Sequence, residues 1–307
     1  MKIAVMGAGG VGGYFGGLLA RAGEEVHFIA RGEHLLALRE RGLRVKSAIG
    51  NFELKVSATD SPQEVGRSEL ILFCVKGYDT ERASRLIEPM VGPDTAVISL
   101  QNGIDNEEIL SRILGEEHVL GGLCYIFSVI EASGVISQTA GPRTIIFGEL
   151  RGGRSRRGER FLKTFERAEI NAELSEDILS ELWQKFLMIC PLAGMTAIAR
   201  ATVGEVLGLK ETEEMLLSLM REVRAVALAR EVNLPDDAID KAMGIIRGLA
   251  PSSKSSLLHD LEGGRRLEVE TLSGALSRYG KEAGVPTPIN DLIYSALKLE
   301  DERRRRA

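Results

Sequence analysis

A strand-like run followed at once by a crowd of glycines opens the chain, and nothing else in it restricts folding as much. In "MKIAVMGAGGVGGYFGGLLARAGEEVHFIAR" glycine occupies positions 7, 9, 10, 12, 13, 16 and 17. Glycine within a helix costs about 0.5–1 kcal/mol relative to alanine, so this stretch needs either a sharp turn or the close approach of another group. "KIAVM" (2–6) predicts a short buried strand, and "YFGGLLARAG" (14–23) predicts a helix that stops at Gly23.

Between them lies Gly7-Ala8-Gly9-Gly10-Val11-Gly12, a GxGxxG pattern, and "EVHFIA" (25–30) supplies a second strand after the helix. Strand, glycines, helix and strand form the context in which this pattern binds a dinucleotide. Gly7 then permits the tight turn, Gly9 lets the backbone approach a pyrophosphate, and Gly12 lets the helix pack on the strand. The helix N-terminus faces the phosphate charge. The expected cofactor contacts are Gly7, Gly9, Gly10, Val11 and Gly12; a glycine-rich turn without a ligand is the alternative. Arg31 ends the second strand, where an NAD-binding chain carries an acid for the ribose 2′-hydroxyl. A guanidinium suits a 2′-phosphate, which favours NADP (NADPH) over NAD, although a plain loop cation also fits.

Strand-like runs recur at "LILFCVK" (70–76), "AVISLQ" (96–101) and "VLGGLCYIF" (119–127), with helical stretches near 79–90 and 105–114. Such alternation implies a parallel, doubly wound sheet. The runs 43–56 and 134–150 read as hairpins at the sheet's edge, and 151–160 as a charged loop or helix start. From Ser175 onward long helical periodicities follow almost without strands. The expected organisation is a Rossmann-type α/β domain over 1–172 and an all-helical domain over 173–307.

Composition narrows the function. The 307 residues are 44% hydrophobic and 27% charged with a net charge of −5, an ordinary globular profile with no basic stripe for nucleic acid. Cys74, Cys124 and Cys190 form no metal pattern, so no metal is expected and a reducing cytoplasm fits best. The N-terminus lacks a signal-like apolar region and no run of about 18 apolar residues follows, so no membrane association is expected. His27, His34, His118 and His259 fall in no metal or triad spacing, and HExxH, GxSxG and P-loop patterns are absent from the sequence.

In doubly wound sheets ligands lie beyond the carboxyl ends of the strands, which selects Lys76 in "VKGYDT" and Asn102 in "LQNGID". A surface lysine and an Asn-Gly turn explain the same residues. In the helical half, Ile178, Leu182, Phe186 and Ile189 form an apolar stripe that also contains Lys185. Burial disfavours the charged form of lysine, which makes it a better proton donor to a developing alkoxide; on spacing alone, an ammonium snorkelling to water is the simpler account. Pro191 is expected to kink or end this helix. Glu268 shares a predicted helical face with Leu272, Ala275 and Tyr279, whereas Glu270 points away. Ser252, Ser253, Ser255 and Ser256 cluster upstream, where capping explains one or two of them.

Taken together, "GAGGVGGYFGGLLARAGEEVHFIAR", "CVKGYDT", "LQNGID", "ELWQKF" with its following proline, and "SSLLHDLEGGRRLEVETLSG" resemble the ketopantoate reductase family, the 2-dehydropantoate 2-reductases, over nearly the whole chain. The resemblance implies NADPH-dependent reduction of a small-molecule 2-oxo acid, ketopantoate, to the D-2-hydroxy acid pantoate, a step of pantothenate and coenzyme A synthesis, with the cofactor between the domains. It implies that Lys185 is the catalytic lysine and Glu268 the helical-domain glutamate. It makes Lys76 and Asn102 residues near nicotinamide and substrate, and Ser253 and Ser256 substrate contacts. The family's asparagines four and eight residues after the lysine are replaced by Ile189 and Ala193, an asparagine by Ser253, and "TEID" by "LEVE" (267–270). These departures leave room for a D-2-hydroxyacid dehydrogenase acting on other 2-oxo acids; a non-catalytic NADP-responsive regulator is the alternative of another class. A monomer or homodimer is expected.

Overall fold

The computed structural model describes residues 1–306. The chain forms two compact units: Met1–Gln101 with Asn106–Ile178, and Asn102–Asp105 with everything from Leu179 onward. Position 172 lies inside the last strand of the first unit, which extends to Ile178.

The first unit is built on ten strands: β1 (Lys2–Met6), β2 (Glu25–Ile29), β3 (Leu43–Ser47), β4 (Phe52–Leu54), β5 (Ser57–Thr59), β6 (Leu70–Phe73), β7 (Ala96–Ser99), β8 (Val119–Ala132), β9 (Val135–Glu149) and β10 (Asn171–Leu174). Their order is β4-β3-β9-β8-β7-β6-β1-β2-β5, with β10 added beside β9. From β5 to β8 neighbours are parallel, and strand order reverses at β1, between β2 and β6. Six helices accompany the sheet: α1 (Gly10–Arg21), α2 (Gly32–Arg41), α3 (Pro62–Val65), α4 (Thr80–Ile87), α5 (Asn106–Leu114) and α6 (Arg156–Arg167). Strand β1 shows why both faces need covering: Ile3 and Val5 enter one apolar core with Phe15 and Leu18, while Ala4 and Met6 enter another with Ile87 and Leu110.

Two elements differ from the sequence reading. Helix α1 begins at Gly10, before the expected start at 14, because its glycines let the helix lie against the sheet instead of breaking it. Residues 134–150 form no edge hairpin. They are the single strand β9, antiparallel to β8 along its length and parallel to β3 at one end and β10 at the other, which places them inside the sheet. The 43–56 hairpin does stand at the edge, as β3 and β4.

The second unit comprises most of α7 (Ile178–Ala199), then α8 (Val203–Gly208), α9 (Lys210–Ala229), α10 (Ala238–Arg247), α11 (Ser256–Glu262), α12 (Ser273–Ala283) and α13 (Pro288–Arg306). Helix α7 continues past Pro191, which therefore does not end it. Burial of Leu187, Cys190, Leu192 and Met195 in the helical core holds it on both sides of the missing amide. By length and composition α7 could cross a bilayer, and 78% of its apolar window is buried within the protein, the packing of a core helix. Sequence inspection missed this because Glu181 and Lys185 interrupt the apolar run. Trp183 of α7 meets Phe186 edge-on and stacks on Tyr279 of α12, and the Arg230 guanidinium lies over the Tyr279 ring, 3.7 Å from its centre.

The glycine stretch separates two effects of the same substitution. A Cβ on Gly12 would stand 2.2 Å from the Gly7 carbonyl oxygen, whereas one on Gly9 would meet nothing within 4 Å. Gly12→Ala is expected to destabilise the first unit by about 1–3 kcal/mol, as overpacking does, and Gly9→Ala to change stability by less than about 0.5 kcal/mol. Urea unfolding of the two variants checks this; equal midpoints would contradict the packing described.

Candidate active site

Strand β1 ends in a turn tied to β2, since the Gly7 and Ala8 amides both donate to Ile29 O, at 3.1 and 3.3 Å. Gly7 has φ +99°, a conformation that a side chain would strain. Gly9 caps α1 and leaves bare backbone at the helix start. Gly10 is held from the other side: a Cβ there would lie 2.1 Å from Ser128 O, and the Ser128 hydroxyl donates to Gly10 O at 2.9 Å. An uncovered helix N-terminus at the strand-order reversal fits a pyrophosphate. Arg31 caps α2 and is largely exposed; its guanidinium donates to Asp79 Oδ2 at 2.8 Å. Asp79 is a partner that the sequence reading did not find.

Lys76 is exposed and directly precedes a single 3₁₀ turn, Gly77–Asp79. A buried polar network fixes that loop. The Gln101 amide donates to Val75 O at 3.0 Å and to the Thr80 hydroxyl at 2.8 Å. The same hydroxyl lies 2.8 Å from Gly77 O and 3.1 Å from Asn106 Oδ1.

In the helical unit, Lys185 is 7% exposed and its Nζ donates to Asn102 Oδ1 at 2.9 Å. Two residues selected separately from the sequence therefore meet, and they do so because Asn102–Asp105 belongs to this unit. Gly103 has φ +116°, so Asn102-Gly103 is a turn as well as a source of this contact. Lys185 is buried, which removes the snorkelling account.

Glu268 does not lie on a helix: α12 starts only at Ser273, and Glu268 sits in the segment leading into it. It is nevertheless 8% exposed. The segment is held by backbone contacts: Leu267 N–H donates to Asp301 Oδ1 at 2.7 Å, and the Thr271 hydroxyl donates to Glu268 O at 3.2 Å. Glu270 turns outward and receives the Tyr294 hydroxyl at 3.0 Å and Lys298 at 2.9 Å. Burial pushes its carboxyl up, but hydrogen bonds from Lys298 and Tyr294 outweigh it and hold the group below the usual carboxylate range.

Ser255 is accounted for by structure. It caps α11 by accepting from Leu258 N–H at 3.1 Å and lies 2.7 Å from the Thr196 hydroxyl. Ser253 is half-buried and Ser256, the first residue of α11, is exposed. The cysteines are free, and burial pushes the Cys190 thiol up to about 12, which makes it a poor nucleophile.

A doubly wound sheet with a bare glycine turn at its reversal point, followed by a helical unit that buries a lysine, is the architecture of a two-part dinucleotide-dependent oxidoreductase. Residues 3–152 match the family described as Ketopantoate reductase PanE/ApbA, and 177–301 its C-terminal counterpart. The chain belongs to the ketopantoate reductase family and is an oxidoreductase. The 2-dehydropantoate 2-reductase of Archaeoglobus fulgidus is 34% identical over 298 residues, covering 97% of each chain. The one from Nostoc is 31% identical over 310 residues, covering 99% of this chain and 96% of that one. A PanE/ApbA family ketopantoate reductase structure from Ralstonia eutropha matches with a TM-score of 0.92 at 32% identity, over 99% of this chain and 100% of that one. A D-mandelate dehydrogenase solved with NADH and anilino(oxo)acetate has a TM-score of 0.91 at 24% identity, again over 99% and 100%, a likeness of fold.

The depressed Glu270 carboxyl makes part of the stability pH-dependent. Its contribution is fully present above the unfolded carboxylate range and is lost as pH falls through the lower folded value. Glu270→Gln should therefore lower the urea midpoint of the helical unit at neutral pH, and the gap from the unsubstituted protein should close toward about pH 3. A gap that stays constant with pH would contradict the assignment.

Proposed function

We propose that this protein is an NADPH-dependent 2-dehydropantoate 2-reductase that converts ketopantoate to D-pantoate. The observation that carries this reading is the buried Lys185 ammonium, which donates to Asn102 Oδ1 at 2.9 Å. A bound nicotinamide dinucleotide supplies the hydride for the substrate's 2-carbonyl carbon. Negative charge then develops on the carbonyl oxygen, and a cation in hydrogen-bond reach stabilises that transition state more than the ground state. Lys185 serves as the donor and passes its proton to the oxygen. Asn102 orients the ammonium by accepting its hydrogen bond. Glu268 positions the lysine or holds a substrate hydroxyl, and Ser253 and Ser256 contact the substrate. With a dinucleotide bound, the backbone of Gly9, Gly10 and Val11 would hold the pyrophosphate, Arg31 the 2′-phosphate, and Lys76 would serve the nicotinamide end.

A second reading, a D-2-hydroxyacid dehydrogenase acting on other 2-oxo acids, is favoured by Ile189 and Ala193. They stand one and two turns beyond Lys185 on α7, where the family resemblance calls for asparagines.

NADPH oxidation with a panel of 2-oxo acids decides between them. Preference for ketopantoate supports the first reading, preference for bulkier apolar acids the second, and NADPH binding without turnover of any acid overturns both. Lys185→Ala should lower kcat by roughly 10²–10⁴, the range for losing a general acid, with NADPH affinity unchanged. Near-normal turnover in that variant would remove Lys185 from its role.

Cofactor choice is tested separately. Arg31→Ala should weaken NADPH by about 1.5–3 kcal/mol, roughly 10- to 150-fold in Kd, because the loss of the guanidinium also leaves the Asp79 carboxylate facing the 2′-phosphate. NADH binding, measured by fluorescence titration, should change little. Equal losses for both nucleotides would refute the NADP assignment.

A further inference from the structure

Four residues, Asn102–Asp105, belong to the helical unit although the chain on either side of them belongs to the sheet unit. Such an excursion needs anchors. Ile104 is one, since it is 8% exposed and packed in the helical core. Arg278 of α12 is another: its Nη2 donates to Asp105 Oδ2 at 2.6 Å, and the Asp105 side chain is only 9% exposed. The opposite edge of the same guanidinium reaches the segment that carries Glu268. Its Nη1 donates to Glu270 O at 3.3 Å and lies 3.6 Å from Glu270 Oε2. The Glu270 carboxylate is in turn fixed by Tyr294 and Lys298 of α13.

We infer that Arg278 is a positioning residue for the reduction: it clamps the Asn102–Asp105 excursion and the Glu268–Glu270 segment to one helix, so that Asn102 meets Lys185 and Glu268 keeps its place. This rests on the reading of Lys185 as proton donor. Arginine suits the task because its planar fork satisfies two partners in fixed directions, which a lysine ammonium does not. Asp105 stands three positions after Asn102, so release of Asp105 loosens an acceptor of the Lys185 ammonium without touching the ammonium itself. A small displacement of a proton donor is enough to cost rate.

The test compares Arg278→Met, Arg278→Lys and Asp105→Asn in the full chain, with Asn102→Ala as the background for a double-mutant cycle. Thermal melts identify the folded variants. Arg278→Met should lower kcat by about 10- to 100-fold, leave the NADPH Kd from fluorescence titration unchanged, and raise acetylation of Lys185, followed by mass spectrometry, several-fold. Arg278→Lys should recover only part of kcat. Combined with Asn102→Ala, Arg278→Met should cost little more, because both act through one contact. Should Arg278→Met fail to fold, Asp105→Asn carries the same comparison. A folded variant with normal kcat and normal Lys185 labelling overturns the clamp, as do fully additive losses in the cycle. Lys185→Ala run alongside keeps the two ideas apart: normal turnover there overturns the proton-donor reading, whereas an inactive Lys185→Ala beside a fully active Arg278→Met overturns the clamp alone.

Discussion

The sheet unit depends on one backbone-to-backbone contact, the seat of α1 on β1. With no side chain at Gly12, the helix comes so close that a Cβ would overlap the Gly7 carbonyl. The glycines that permit this weaken α1 as an isolated helix, and the unit offsets the loss by burying Tyr14, Phe15, Leu18 and Leu19 almost completely. The same contact puts the first amides of α1 beyond the carboxyl end of β1, at the point where the strand order turns back. On the proposed reading, packing and anion recognition are two consequences of one missing methyl group, and substitutions at Gly9 and Gly12 should therefore behave differently.

In the helical unit the governing constraint is a buried cation. Taking an ammonium out of water costs several kcal/mol, and a hydrogen bond to a charged group returns about 1.5–3 kcal/mol. The Asn102 contact recovers part of that cost. A buried ammonium held by a hydrogen bond on an apolar stripe is a candidate for a functional role.

Sequence legibility followed the range of the interactions. The glycine turn, the strands around it and the switch to helices are local patterns, and the structure reproduces them closely. Lys185 was visible as a charge on an apolar stripe, a violation of periodicity. The burial of Glu268 agrees with the sequence reading but for a different reason, since the residue lies in the turn before α12, beside the Asp301 anchor at Leu267, and not on a helical face. What remained unreadable joins distant segments: Asp79 with Arg31, Gln101 with Thr80, Asp105 with Arg278. Asp105 stood in the quoted "LQNGID" motif, but no local rule pairs it with a residue more than 170 positions away. The β9 strand failed for a related reason, because its interior place depends on three different neighbours along one run of residues.

On the proposed reading, substrate discrimination turns on what replaces the missing amides. A site that hydrogen-bonds a substrate hydroxyl rejects an analogue lacking it by large factors, because its own polar groups are left unpaired, whereas an apolar pocket distinguishes ligands only weakly. Ile189 and Ala193 present apolar groups beyond Lys185, and Ala193 is 5% exposed and part of the helical core. Neither penalises a substrate without a hydroxyl. Selectivity for ketopantoate must then come from groups outside α7, and the buried Glu268 carboxylate is the strongest acceptor among the residues assigned to the substrate. The clamp through Arg278 and Glu270 holds that carboxylate's own segment, so the fixed position of α12 bears on which 2-oxo acid is chosen as well as on how fast it is reduced.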